Sequence, residues 1–178
     1  HEAALRHKSL REGEESDLQR RLNLHKASTP GTKFFLSIDR LDYTKGIAKR
    51  IKAFEYFLQK YPEYREKVRL IILAVPSRSK VPQYQRLTRE IDGLVGRING
   101  ELSTVSWTPI WYFYRSLGFD NLIDLYTTCD IAWLTPIRDG MNLVAKEYIA
   151  TRTDQSGVLI LSEMAGSANE MHESLLIN

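Results

Sequence analysis

Short apolar, β-branched runs alternate along this chain with longer stretches whose apolar residues recur every three or four positions. The runs are Phe34-Phe35-Leu36-Ser37-Ile38, Leu70-Ile71-Ile72-Leu73-Ala74-Val75, Ile131-Ala132-Trp133-Leu134 and Val158-Leu159-Ile160-Leu161. Their length and residue types predict buried strands. Between them, Ile47, Ile51, Phe54, Leu58 and Tyr61 form one helical stripe, with Lys49, Arg50, Lys52 and Lys60 assigned to other faces and Pro62 as the stop. A second helix is predicted from near Pro82 through Tyr84, Leu87, Ile91, Leu94, Val95 and Ile98, ended by Asn99-Gly100. A short helix follows Asp120, and another starts just after Asp139-Gly140. Residues 1–27 carry dense mixed charge with sparse leucines and read as a helix or helical lead-in, closed by the turn Ser28-Thr29-Pro30-Gly31. Strands separated by helices imply a parallel sheet with right-handed crossovers, an α/β, Rossmann-like fold.

Composition narrows the partners. The 178 residues suit one domain with a full core. A net charge of +3, with signs that alternate instead of forming a basic stripe, argues against nucleic acid. No apolar stretch approaches a membrane span. The single cysteine, Cys129, cannot close an internal disulfide, which points to a reducing, cytoplasmic setting. With no histidine near it, Cys129 is expected to pack in the interior and not to act as a nucleophile. The chain begins without Met and stops just after the strand-like Leu175-Leu176-Ile177, so both ends are expected to be cuts in a larger protein.

Each apolar run leads into a polar cluster: Asp39 to Gly46, Pro76 to Ser79, Thr135 to Asn142, and Ser162 to Gly166. In a parallel sheet all four clusters land on one edge, where open α/β folds bind ligands. Cations there point to an anion, most simply a phosphate. Arg40 and Lys45 flank a turn that ends in Gly46 at a helix start, which suits a diphosphate. The plainer reading pairs them on the surface with Asp39 and Asp42, and spacing alone leaves the two readings open. In the third cluster Gly140 permits close backbone approach, and the N–H groups of Met141 to Val144 are expected to be free for an anion. Glu147 lies a turn further on, suited to a ribose diol. The competing reading makes Asp139 the helix cap and Glu147 a solvated residue.

Neither a dinucleotide fingerprint nor a P-loop is present. The four histidines show no metal-ligand spacing, no Ser–His–Asp arrangement is suggested, and His172 reads as a surface helix residue. The aromatic stretch Trp107 to Tyr114 is assigned to core or interface packing in preference to a stacking platform.

Four blocks taken together resemble the trehalose-6-phosphate synthase family: Ser37 to Gly46, Val95-Gly96-Arg97-Ile98-Asn99-Gly100, Trp107-Thr108-Pro109, and Thr135 to Tyr148. The likeness runs in order over residues 31–178, with residues 1–30 left as a helical or interdomain lead-in. The resemblance implies the C-terminal, donor-nucleotide half of a glycosyltransferase-B architecture. It implies glucose transfer from UDP-glucose to glucose 6-phosphate with retention, and no cofactor or metal. By motif, Arg40 and Lys45 hold the donor diphosphate and Asp139 contacts donor-glucose hydroxyls. Gly140, Met141, Asn142, Leu143, Val144, Ala145, Lys146 and Glu147 read the rest of the donor, with backbone N–H groups at the phosphate and Glu147 on the ribose. Leu117 meets uracil through its backbone, and Arg78 reaches the acceptor phosphate. The implied partners are the two substrates, an N-terminal domain carrying most of the acceptor pocket, and, in some parent chains, a fused phosphatase domain. This half alone is expected to be inactive. Two rivals share these motifs: a glucosylglycerol-phosphate synthase using ADP-glucose or UDP-glucose, and a catalytically silent sugar-nucleotide or sugar-phosphate sensor.

Overall fold

The computed structural model describes residues 16–178. Six strands form one parallel sheet: β1 (Lys33–Arg40), β2 (Val68–Val75), β3 (Ile110–Tyr114), β4 (Ile131–Leu134), β5 (Val158–Ser162) and β6 (Leu175–Ile177), in the order β3-β2-β1-β4-β5-β6. The helices are α1 (Asp17–Ser28), α2 (Ile47–Lys60), α3 (Pro82–Leu102), α4 (Phe119–Thr128) and α5 (Leu143–Thr151), with short 3-10 turns at Tyr43–Lys45, Pro62–Tyr64 and Gly166–Asn169. The Rossmann-like expectation holds. The part of the lead-in helix that falls on residues 1–15 lies outside the described residues; the rest is α1, whose Leu22 is buried in the core.

Strand alternation sorts the core into two layers. Phe34, Leu36 and Ile38 of β1 join Ile71 and Leu73 of β2 against α1, α4 and α5. On the opposite face Leu70, Ile72 and Ala74 of β2 pack with Ile47, Ile51, Phe54 and Leu58 of α2 and Leu87, Ile91 and Ile98 of α3. With both faces covered, β2 is buried through Ala74 and reads as a continuous apolar run from Leu70 onward.

The strand order reverses at β1. β1 pairs with β2 along its whole length, from Lys33 opposite Val68 to Arg40 opposite Val75. It pairs with β4 only at Phe35–Ile131 and Leu36–Ala132. Their pairing ends there, and open α/β folds bind ligands outside the strand ends at such a reversal point.

Several boundaries depart from expectation for local reasons. Helix α3 continues past Asn99-Gly100 to Leu102, because the Asn99 side chain is engaged elsewhere: it accepts from the Ile110 amide at 3.1 Å and donates to the Ile110 carbonyl at 2.9 Å. Tyr61 is the C-cap of α2 and is exposed, not the end of its buried stripe. Arg50 is buried, not on a solvent face. It stands three residues after Ile47 and four before Phe54, within the apolar stripe itself. His172 sits exposed on a turn, not a helix. Cys129 is fully buried at the end of α4, and burial pushes its thiol up to about 12. Trp107 is buried and donates through Nε1 to the Val68 carbonyl at 2.9 Å, so this part of the aromatic stretch packs the core.

Candidate functional site

The four polar clusters meet at the C-terminal edge of the sheet, and backbone hydrogen bonds tie three of them together. The amides of Ile137 and Arg138, after β4, both donate to the Thr44 carbonyl, at 2.7 and 3.2 Å. The Asp139 amide donates to the Met164 carbonyl at 3.2 Å, the Gly166 amide to the Asp139 carbonyl at 3.0 Å, and the Ser167 amide to the Met141 carbonyl at 2.8 Å. The loops after β1, β4 and β5 therefore form one scaffold.

Two glycines make that scaffold possible. Gly46 adopts φ +68°, and a Cβ there would stand 2.8 Å from the Thr135 carbonyl oxygen. A Cβ on Gly166 would come within 2.0 Å of the Gly140 carbonyl oxygen. Close approach therefore occurs at Gly166, against the backbone of Gly140; Gly140 itself has open space where a Cβ would stand.

Lys45 Nζ meets Asp139 Oδ2 at 2.5 Å, and both side chains are mostly buried. Sequence spacing offered Asp39 or Asp42 as the partner of Lys45, and neither is. Asp39 lies buried at the end of β1 and accepts from the equally buried Arg50. Burial raises the Asp39 carboxyl above its ordinary value, opposed by the charges of Arg50 and Lys45. Asp42 caps the Tyr43–Lys45 turn and accepts from the Thr44 amide at 2.9 Å, the Thr44 hydroxyl at 2.7 Å and the Tyr84 hydroxyl at 2.8 Å. Burial pulls that carboxyl up, but these donors together with Arg78 hold it below its ordinary value.

Arg40 is exposed at the end of β1 and has no side-chain partner among the described residues. Arg78, at φ +46°, donates to the Tyr84 hydroxyl at 3.3 Å and lies over that ring, so Tyr84 links it to Asp42 and hence to the first turn. Leu117 lies in the loop after β3, half-buried against the α4 side of the core.

Helix α5 is capped by Asn142, not Asp139. Asn142 takes a left-handed conformation at φ +68°, accepts from the Ala145 amide at 3.0 Å and donates to Asp139 Oδ2 at 3.3 Å. Asp139 Oδ1 accepts from the Met141 amide at 3.3 Å. Of the four expected free N–H groups, Met141 is thus engaged, whereas helix geometry leaves Leu143 and Val144 without an intrahelical acceptor. Lys146 pairs outward with Glu170 at 2.7 Å. Glu147 is not simply solvated, since its Oε2 accepts from the buried Tyr126 hydroxyl at 2.7 Å.

Sequence reasoning missed Asp39, Arg50, Tyr84, Tyr126 and Gly166. Arg50 and Tyr84 carried a usable signal, because each falls on the apolar stripe of its helix. The other three had none that reading alone would single out.

Comparison with known proteins identifies the family and the fold. The sequence profile of glycosyltransferase family 20 matches residues 7–178, beginning well before the likeness was legible by eye. The chain is 52% identical over 146 residues to the bifunctional trehalose-6-phosphate synthase/phosphatase of Thermoproteus tenax, covering 82% of this chain and 20% of that protein. It is 47% identical over 163 residues to the UDP-forming alpha,alpha-trehalose-phosphate synthase A of Dictyostelium discoideum, covering 92% and 22%. A solved structure described as trehalose-6-phosphate from E. coli bound with UDP-2-fluoro glucose superposes with a TM-score of 0.89 at 36% identity, covering 98% of this chain and 38% of that one. The Burkholderia xenovorans alpha,alpha-trehalose-phosphate synthase in complex with glucose-6-phosphate gives a TM-score of 0.83 at 37% identity, covering 91% and 37%. The chain thus spans between 20% and 38% of the length of these relatives. A profile that fits nearly the whole chain, and a fold held at these identities, lead to one assignment: the chain belongs to glycosyltransferase family 20.

Proposed function

We propose that this chain is the donor-binding half of a retaining glucosyltransferase that moves glucose from UDP-glucose to glucose 6-phosphate, giving trehalose 6-phosphate. The observation that carries the reading is the loop scaffold at the sheet's reversal point, which holds the Lys45–Asp139 pair, leaves Arg40 exposed at the end of β1, and joins Arg78 to the first turn through Tyr84 and Asp42. Arg40 and Lys45 neutralise the donor diphosphate, aided by the Leu143 and Val144 amides at the start of α5. Asp139 accepts from hydroxyls of the donor glucose, and Asn142 and the Met141 amide orient its carboxylate. Leu117 faces the base through its backbone, Glu147 takes the ribose diol, and Arg78 takes the acceptor phosphate.

In the step itself the bond from the glucose anomeric carbon to the β-phosphate oxygen breaks, and a bond to the acceptor hydroxyl oxygen forms on the same face. The acceptor proton passes to the departing phosphate, so no enzyme nucleophile is needed. The protein contributes charge stabilisation of the leaving diphosphate and alignment of the two sugars. With that charge met by Arg40 and Lys45, we assign the step no metal.

The rest of the acceptor pocket is assigned to further chain of the kind its longer relatives carry, and a fused phosphatase domain is compatible with the name of the T. tenax relative. No described helix is long and apolar enough to cross a membrane. We propose a cytoplasmic setting because the single cysteine of these 178 residues can close no disulfide among them.

Calorimetry with UDP tests the reading. Weak binding is expected, and Arg40→Ala or Lys45→Ala should each weaken it by about tenfold or more. Equal affinity in all three proteins would remove the diphosphate role. Titrations with ADP and GDP read the base preference. Robust trehalose 6-phosphate formation by this chain alone would refute the claim that it is half of a site.

A further inference from the structure

Glu147 occupies the fifth position of α5, one turn beyond Leu143, on the exposed side of the helix. A glutamate there has three freely rotating bonds, and fixing it costs about 1.5–2 kcal/mol of side-chain entropy. No lysine or arginine pairs with it among the described residues. One of its oxygens is nevertheless held: the hydroxyl of Tyr126 donates to Oε2 at 2.7 Å. The donor is rigid. Tyr126 is only 2% exposed, in the last turn of α4, and its ring meets Tyr148 edge-on with centroids 6.5 Å apart. The other carboxylate oxygen, Oε1, has no protein partner among the described residues.

Tyr126 also stays a donor at all physiological pH. Burial raises its phenol above the ordinary value, the hydrogen bond to Glu147 adds to this, and the charges of Glu147 and Asp39 act in the same direction.

We propose that Tyr126 is a positioning residue that sets the selectivity of this site for ribose over deoxyribose, by holding one oxygen of Glu147 so that the other meets the diol of the donor nucleotide. The inference rests on the reading of Glu147 as the ribose contact. A hydrogen-bonding site rejects a ligand that lacks the matching hydroxyl only when its own group is fixed, because a mobile carboxylate turns back to water. Removing the Tyr126 hydroxyl should therefore lower the discrimination between sugars, not the affinity for the diphosphate.

The experiment compares UDP with 2′-deoxyuridine 5′-diphosphate, titrated into the 178-residue chain and followed by chemical-shift changes. The wild type should prefer UDP by about tenfold. Tyr126→Phe keeps the ring in the core and should reduce that ratio to about twofold or less, with a nearly unchanged affinity for the deoxy ligand. Glu147→Gln should likewise lower the ratio to about twofold or less, while weakening both ligands. If Glu147→Gln abolishes the preference and Tyr126→Phe retains it in full, the positioning role is overturned and the ribose contact stands. If Glu147→Gln retains the preference, the ribose reading fails and the proposal with it. A thermal unfolding midpoint for Tyr126→Phe close to that of the wild type separates either outcome from a folding defect.

Discussion

At the end of the sheet where the strands begin, Asp130 accepts from the Phe34 amide at 2.8 Å and pairs with Lys26 at 3.1 Å and Lys33 at 3.7 Å. Arg69, also at that end, lies over Trp111 with its Cζ 4.0 Å from the ring centroid and donates to the Thr108 carbonyl at 2.9 Å. At the opposite end Lys45 pairs with Asp139 and Arg50 with Asp39, while Arg40 is left open. Both ends carry buried or half-buried charge, so charge alone does not mark a site. The ends differ in strand direction and order. Parallel strands bring every βα loop to one end, and the reversal of strand order at β1 falls where open α/β folds take their ligands. The first end sets its charges against the chain's own groups, although Arg69 Nη1 finds no hydrogen-bond partner among the described residues; the second holds a cation toward solvent.

Variants can break that contrast. Phe54 belongs to the scaffold beneath the functional end, and Phe54→Ala should cost about 3–5 kcal/mol in urea unfolding, with no selective loss of UDP affinity in the folded protein. Gly46→Ala forces a left-handed alanine against the Thr135 carbonyl and should cost about 2–4 kcal/mol while also weakening UDP binding, because that contact fuses two loops of the site. A more selective pair is Lys45→Ala and Arg69→Met. The first should raise the UDP dissociation constant about tenfold and the second should leave it within about twofold, although both remove a cation. A tenfold loss in Arg69→Met would show that the two ends are not independent.

The smallest effect concerns pH. The folded Cys129 thiol is raised to about 12 from an ordinary value near 9, so above pH 9 the unfolded chain releases a proton that the folded chain keeps. Stability contributed by this group is fully present below that ordinary value and is lost as pH rises toward 12, by at most about 1.4 kcal/mol per pH unit. Cys129→Ala should flatten the alkaline slope of unfolding free energy measured between pH 9 and pH 11, whatever the cavity costs at neutral pH.

The alternation of β-branched runs with helical stripes was enough to place β1, β2, β4, β5 and the helices between them, since each element must bury one face of its own pattern, whereas the edge strand β3 was hidden in an aromatic stretch read only as packing. It also put the polar clusters at one end, since that follows from parallel strands. Which acid meets which base was not legible. Lys45 is three residues from Asp42 yet pairs with Asp139, and Arg50 turned inward to Asp39, because these partners are chosen by the register of β1 against β4 and by the packing of α2, not by distance along the chain. Tyr126 and Glu147 are joined across two helices for the same reason. Periodicity is a local property that a sequence carries in full, whereas a pairing of charges needs two elements brought to one place, and only the folded chain decides that.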